Sequence, residues 1–429
     1  MRTAVKSKDD RAYDALIVGG GPAGATAAIL LASAGWRIAV VEKKRFPRRK
    51  VCGEFVSATS WPLLRELGVA EPLLARAGPE IRRVGLYAGE TVLAADMPLP
   101  RDGREAWGRA VGRELLDSLL LARAAAVGVD VIQPWTLSRV DRIAGGYPCS
   151  AVGKEKDEPD ESAAMRLRAR IIIAAHGSWE PGSMPTQSPR YPPRASDLFA
   201  FKARFRDSGL PLELMPLLIF PGGYGGMVQT DGGCVSLSCC IRRDALERCR
   251  RKRKDARAGD AVFAHIQASC LGVREALSRA RLDGPWLSAG PIRPGIRPFR
   301  RERFFAVGNA AGEAHPIVAE GISMAIQSAW LLCEHLVANK DAALATDAPE
   351  ALGTVERDYE RSWRKNFATR IHAAAFFAQL AVRPGTAKLA VALLQCAPPI
   401  LTLGAQWSGK AKPLRSLSNV DAVRILSGG

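Results

Sequence analysis

The chain has 429 residues, 47% hydrophobic and 24% charged, which is enough for a large core in two or three domains. Lys and Arg exceed Asp and Glu by 61 − 43 = 18, a field that favours acidic partners: an anionic membrane surface, nucleic acid or a phosphorylated cofactor. Nine cysteines with no C-x-x-C pair, and five histidines with no H-E-x-x-H spacing, exclude a disulfide framework and a structural metal site. Reduced thiols point to a cytoplasmic protein.

The opening residues are polar and the first apolar run is only strand-long, so no signal peptide is expected. That run begins "YDALIVGGGPAGATAAILLASAGWRIAVVEKK" (13–44). Ala15–Val18 reads as a strand, Gly19, Gly21 and Gly24 as G-x-G-x-x-G, and the next residues as a helix. "RIAVVE" reads as a second strand ending on Glu42. Gly19 permits the tight turn, Gly21 lets a pyrophosphate approach the backbone, and Gly24 lets helix and strand pack closely. The helix N-terminus offers free N–H groups to phosphates, and Glu42 accepts hydrogen bonds from a ribose diol. This is a dinucleotide site, for NAD or FAD alike.

"KVCGEF" (50–55) follows, with a thiol and a carboxylate just past the nucleotide grip. Cys52 reads either as a small apolar filler or as a redox or substrate-positioning thiol. Glu54 reads either as a helix cap or as a proton-transfer group. "GRELLDSLLLARAAAVGVDV" (112–131) is a helix running into a strand, and "KEKDEPDES" (154–162) a polar turn between strands. "ARIIIAAHGSWEPG" (169–182) is an apolar strand ending at His176, either a phosphate-facing donor or a turn-packing side chain. "LIFPGGYGGMVQTDGGCVSLSCCI" (218–241) shows strand alternation about a glycine-rich turn carrying Tyr224. The basic run 242–257 lacks the interleaved aromatics of a nucleic-acid site, so no nucleic-acid partner is expected; it reads as a weakly amphipathic, solvated helix face or loop.

In "FFAVGNAAGEAHPIVAEGISMAIQSAWLLCEHL" (304–336) an apolar strand enters Gly308-Asn309-Ala310-Ala311-Gly312, then Pro316 and Gly321, and a long helix from Ile322. Its N-terminus again offers unpaired donors. His315 is the best acid/base candidate, since imidazole moves protons near neutral pH; the alternative is a loop histidine bonded to backbone. The remainder, 341–429, is Ala- and Leu-rich and helical. No stretch is long enough to span a bilayer; "LAVALLQCAPPILTLGA" (389–405) reads as a buried helix pair or an interfacial segment.

The 304–336 segment resembles the second FAD motif, G-D-A-A-H-x-x-x-P-x-x-G-x-G-x-N, of the p-hydroxybenzoate hydroxylase-like flavoproteins. Asn309 stands for the Asp, Ala319 for a Gly and Ser323 for the Asn. Residues 112–131 resemble that family's R-x-x-L-D helix, which implies that Arg113 contacts FAD. "KVCGEF" is similar to the K-x-C-G stretch of geranylgeranyl reductases and the K-x-C-G-E of several flavin halogenases, which implies that Cys52 lies near the isoalloxazine. The Tyr224 stretch resembles the P-G-G-Y-x-W cavity wall of geranylgeranyl reductases, with Gly226 for the Trp. His176 replaces the Asp of the hydroxylases' A-D-G-x-x-S, a departure that bears on docking of NADPH or NADH. The halogenase W-x-W-x-I-P stretch is absent, which argues against halogenation.

The resemblance implies an α/β fold: a three-layer doubly wound FAD-binding domain, an inserted mixed-sheet substrate domain and a helical C-terminal tail. The expected FAD-binding segments are 1–182, with a substrate-domain piece near 81–104, and 285–340. The substrate domain is expected at 183–284 and the helical region at 341–429. It implies FAD held by Gly19, Gly21, Gly24, Glu42, Arg113, Gly308, Asn309, Pro316, Gly321 and Ile322. Tyr224 is expected to touch substrate, and Cys52, Glu54 and His315 are the catalytic candidates. The implied activity is hydroxylation of a hydrophobic aromatic or polyketide-like molecule by O₂ through a flavin C4a-hydroperoxide. The alternatives are a reductase saturating isoprenoid or other lipid double bonds, and a flavin-binding protein without turnover. The expected location is cytoplasmic, with peripheral contact to an anionic membrane as an option.

Overall fold

The structure is a computed structural model that describes residues 11–98, 107–141, 146–155, 158–177, 187, 191–297, 304–345, 349–408 and 414. Its first sheet is built on parallel strands in the order Asp130–Ile132, Ile38–Val41, Arg11–Val18 and Glu158–Ala174. Phe304–Ala306 pairs in parallel with Ile172–Ala174. Tyr147–Glu155 and Trp135–Val140 continue the sheet as an antiparallel meander.

Both faces of the parallel strands are buried, which explains their unbroken apolar runs. Along Arg11–Val18, Ala15 and Ile17 face the helices Pro22–Ser33, Arg113–Ala126 and Gly321–Ala338, while Tyr13, Leu16 and Val18 face the meander. These are the three layers. The helix Pro22–Ser33 is rich in alanine, and its small side chains let it lie between sheet and helix Gly321–Ala338 with ten of its residues buried.

The second sheet is mixed. Its path runs Arg281–Leu282, Leu198–Arg206, Val235–Arg242, Gly223–Gln229, Leu214–Phe220, Arg83–Ala88 and Thr91–Asp96, with Leu287–Ile292 also on Leu198–Arg206. Only Leu214–Phe220 with Arg83–Ala88 is a parallel pair. One face packs on the helices Arg243–Lys252, Ala258–Ser269 and Leu271–Ala276; the other walls a cavity. The strand Leu287–Ile292 belongs to this sheet, so the expected break at 284/285 falls between two of its strands; the other expected break, at 182/183, lies outside the described residues.

Two local expectations change. The segment 158–162 is strand, because Glu155 pairs with Glu158 and Lys154 with Pro159. The basic run forms a helix, Arg243–Lys252, that buries Ala245 and Cys249 and turns its arginines outward, so it is clearly two-faced.

The helix Pro349–Val382 crosses from one sheet to the other. Tyr359 donates to the Ala306 carbonyl at 2.8 Å and Trp363 and Phe367 enter the first core, whereas Ala378 and Ala381 pack beside Tyr224. The shorter helices Pro384–Cys396 and Pro399–Trp407 then close over the edge strand Thr91–Asp96. Gln395 Nε2 donates to Thr91 Oγ1 (2.9 Å) and Thr402 Oγ1 to the Asp96 carbonyl (2.7 Å).

Candidate active site

The first Gly-rich loop is set by steric limits. Gly19 sits at φ 108°, and a Cβ there would lie 2.6 Å from the Ala175 carbonyl oxygen. A Cβ on Gly24 would lie 1.8 Å from the Gly19 carbonyl oxygen, so only glycine lets helix meet turn. Gly21 differs: a Cβ there would meet only Arg113, at 3.6 Å. Glu42 is 3% exposed and accepts from the backbone N–H groups of Gly20 (2.8 Å) and Lys44 (2.9 Å), with Arg48 at 3.6 Å. It braces the loop from the strand tip, and neither it, Gly19 nor Gly24 lines the cavity.

The second loop begins at Gly308 (φ 59°), whose N–H donates to Ser328 Oγ at 2.6 Å. Asn309 Nδ2 donates to Glu313 Oε1 (3.0 Å), while its carbonyl accepts from Arg297 (2.8 Å). An Asp at 309 would face Glu313 with like charge; the amide turns that contact into a bond. Gly312, where the motif has His, is filled by Trp363, which a Cβ would meet at 2.6 Å. Ala319 adopts φ 53°, the left-handed backbone that the motif assigns to glycine. Ser323 Oγ bonds the Ser57 hydroxyl (2.8 Å) and accepts from Ser57 N–H (3.2 Å), tying this helix to the loop after Cys52.

Both Gly-rich loops feed helix N-termini that no side chain of the cap residue closes. A Cβ on Gly321 would meet nothing within 4 Å. Gly21 and Gly321 both line one cavity of about 690 Å³, so orphan N–H donors of two helices face the same space. Such a cradle fits a dinucleotide with an anionic pyrophosphate: Gly21 and Arg113 would hold it at one helix, and Gly308, Asn309, Gly321 and Ile322 at the other.

Arg113 is buried on its helix and pairs with Asp117 in a two-pronged bond of 2.7 Å on each arm. Burial opposes its charge, but Asp117, with Cys52 facing it, holds the guanidinium above its usual pKa. Cys52 also accepts from the Glu54 N–H at 3.4 Å, so the thiol lies on the cavity wall between Arg113 and a turn. Lys50 lines the same wall; burial, then Arg113 and Arg48, bring its ammonium down to about 8.

Glu54 has φ 62°, which turns its carboxylate inward. Oε1 accepts from the Arg113 N–H (3.0 Å), so Glu54 does cap the helix Arg113–Ala126, and it forms an ion pair with Lys202. Oε2 is buried and without a hydrogen-bond partner. The sequence reading passed over Lys202. It lies two residues after Ala200 on the same face of the strand Leu198–Arg206, buried against Glu54, and its signal was a lysine directly after four apolar residues of that strand.

On the opposite wall, Tyr224 hydroxyl and His315 Nδ1 are 3.2 Å apart. His315 therefore bonds a side chain, not backbone. Burial brings it down to about 4, so the imidazole is neutral; burial and then Cys240 hold the Tyr224 phenol well above its usual range. Pro316 and Ile317 continue this wall. His176 lies two residues past the end of the strand Glu158–Ala174, next to Gly177, and burial brings it to about 4. Ser178 lies outside the described residues. The rest of the cavity is apolar, with Met215, Leu217, Ile219, Ile292 and Phe377 prominent. Among the described residues no group of three or more His, Cys, Asp or Glu could hold a metal.

Two helix N-termini on a doubly wound sheet, opening into an apolar chamber under a second sheet, define a dinucleotide flavoprotein. The chain belongs to the FAD binding domain family, matched over residues 12–347, within the p-hydroxybenzoate hydroxylase-like superfamily of monooxygenases, halogenases and geranylgeranyl reductases.

It is 26% identical over 345 residues to conditioned medium factor receptor 1 of Dictyostelium discoideum (75% of this chain, 63% of the relative). It is 27% identical over 325 residues to tryptophan 2-halogenase of Chondromyces crocatus (74% and 59%). The chain thus spans less than two thirds of either relative's length. It is 25% identical over 371 residues to digeranylgeranylglycerophospholipid reductase 2 of Methanopyrus kandleri, with 83% of each chain covered. The p-nitrophenol 4-monooxygenase PnpA of Pseudomonas putida DLL-E4 shares the fold at TM-score 0.72 and 16% identity, over 95% of this chain and 100% of that one. With a halogenase among the relatives, the missing W-x-W-x-I-P stretch does not by itself separate this chain from halogenases.

Proposed function

We propose that the chain is an FAD-dependent monooxygenase that hydroxylates a hydrophobic aromatic or polyketide-like molecule, with NADPH or NADH as electron donor. The observation that supports this reading is the single cavity joining both helix N-termini to an apolar chamber. FAD, when bound, supplies the activation of O₂. The chain's own residues do the rest. Arg113 and the two helix N-termini anchor the cofactor's charge, and the apolar walls exclude water and hold the substrate. Neutral His315 accepts or relays a proton through the Tyr224 hydroxyl, and Glu54 Oε2 offers an acceptor on the other wall.

A reductase saturating a lipid double bond is the second reading. The Cys52 thiol on the cavity wall, and the match along most of both chains to a phospholipid reductase, favour it. One experiment separates them. The bound flavin is reduced chemically without air, and its reoxidation is followed when O₂ is admitted. Fast reoxidation is expected; slow reoxidation would overturn oxygenation in favour of reduction. Product mass with bromide present then distinguishes hydroxylation from halogenation.

A further inference from the structure

Among the described residues no single helix is long and apolar enough to cross a membrane. Pro384–Cys396 and Pro399–Trp407 nevertheless form an apolar pair bent by 118°. The pair presents Leu389 (74% exposed), Leu393, Leu403 and Trp407 (68%) outward, and Phe376 extends the patch from the preceding helix. Large side chains are seldom left this bare in one place on a monomer. The inner face of the same pair, through Leu394 and Leu401, lines the cavity, and Leu393, Leu403 and Trp407 belong to both patch and lining. The chamber mouth therefore opens within the patch.

Along the chain the charge is one-sided, and the exposed acids beside the pair are Glu90 and Asp96 of the hairpin it covers. From Arg361 to Trp407 the chain has no Asp or Glu, and Arg383 and Lys388 are exposed on the pair itself. Leucine and tryptophan on an outward helix face, flanked by cations, match the chemistry of a bilayer interface. Anionic headgroups complete the match. A protein seated there would seal the mouth, whereas acyl chains would continue its apolar lining.

We infer that the bent helix pair is a dock for an anionic lipid bilayer, through which the chamber communicates with the acyl region. The docking stands on the pair alone; passage of substrate from lipid rests on the proposed function. The test is sedimentation of the full FAD-loaded chain with vesicles of phosphatidylcholine, or of phosphatidylcholine with phosphatidylglycerol, at low and high salt. Retention by the anionic vesicles at low salt is expected. Leu389→Asp should weaken it about tenfold and Lys388→Gln about fivefold. Neither residue lines the cavity, and both variants should keep the parent's flavin content and melting temperature.

Absence of retention by anionic vesicles would overturn the inference, as would equal retention of both variants. So would loss of retention only on charge reversal of Arg250 and Arg251 in the other basic helix. Capture by a soluble acidic protein but not by vesicles, or a lipid-free dimer abolished by Leu389→Asp, would assign the patch to a protein instead. Flavin reoxidation kinetics are read separately, so failure of docking leaves the oxygenase reading standing.

Discussion

Lys202 is buried on the strand Leu198–Arg206 behind Glu54, which lines the cavity, and its charge is balanced by Glu54. Both side chains are almost fully buried, so each needs the other. Lys202→Met should destabilise the fold by about 3–5 kcal/mol by leaving a buried carboxylate unpaired. Adding Glu54→Gln should recover most of that, because the amide oxygen still accepts from Arg113 N–H. A denaturant-melt double-mutant cycle reads the coupling. Ala319 makes the opposite case. Its left-handed backbone costs about 1–2 kcal/mol for a non-glycine residue, against about 0.5–1 kcal/mol of chain entropy for glycine. Ala319→Gly should therefore raise stability by about 0.5–1 kcal/mol, measured as the urea midpoint at unchanged slope.

At the scale of elements, the three glycines of two helix starts predict two different outcomes. Gly24→Ala drives a methyl into the Gly19 carbonyl and should cost more than about 3 kcal/mol. Gly21→Ala and Gly321→Ala meet no backbone and should melt like the parent without cofactor, yet bind FAD at least about tenfold more weakly, because the methyl stands where cofactor must approach. Flavin titration beside apo-protein melting checks all three. The helix starts themselves were legible from sequence because glycine spacing and apolar runs obey local geometry. So were Cys52, Tyr224 and His315 as residues of one chamber, through motif order. What was not legible was pairing across the chain. That Asn309 binds Glu313, that Glu54 both caps a helix and meets Lys202, and that Trp363 fills the place of a motif histidine all depend on tertiary contact. No periodicity reports such contacts.

For the molecule as a whole, buried imidazoles set an acid limit. His315 and His176 are both brought by burial to about 4, against about 6.5 in an unfolded chain. Between those values the unfolded chain binds more protons, so stability is fully present above pH 6.5 and falls as pH drops toward 4. Melting temperature against pH should show that fall, and His315→Gln should flatten part of it.

The two sheets are threaded through one another. The strand Phe304–Ala306, which brings the second Gly-rich loop, pairs with Ile172–Ala174, and the inserted sheet's strands from Leu198 to Ile292 lie between them in sequence. On the ribosome the first loop is therefore finished long before the helix Gly321–Ala338 exists to face it. Flavin capture is consequently a late event of biogenesis: the nascent chain must complete its catalytic chamber before it can hold the coenzyme that works there.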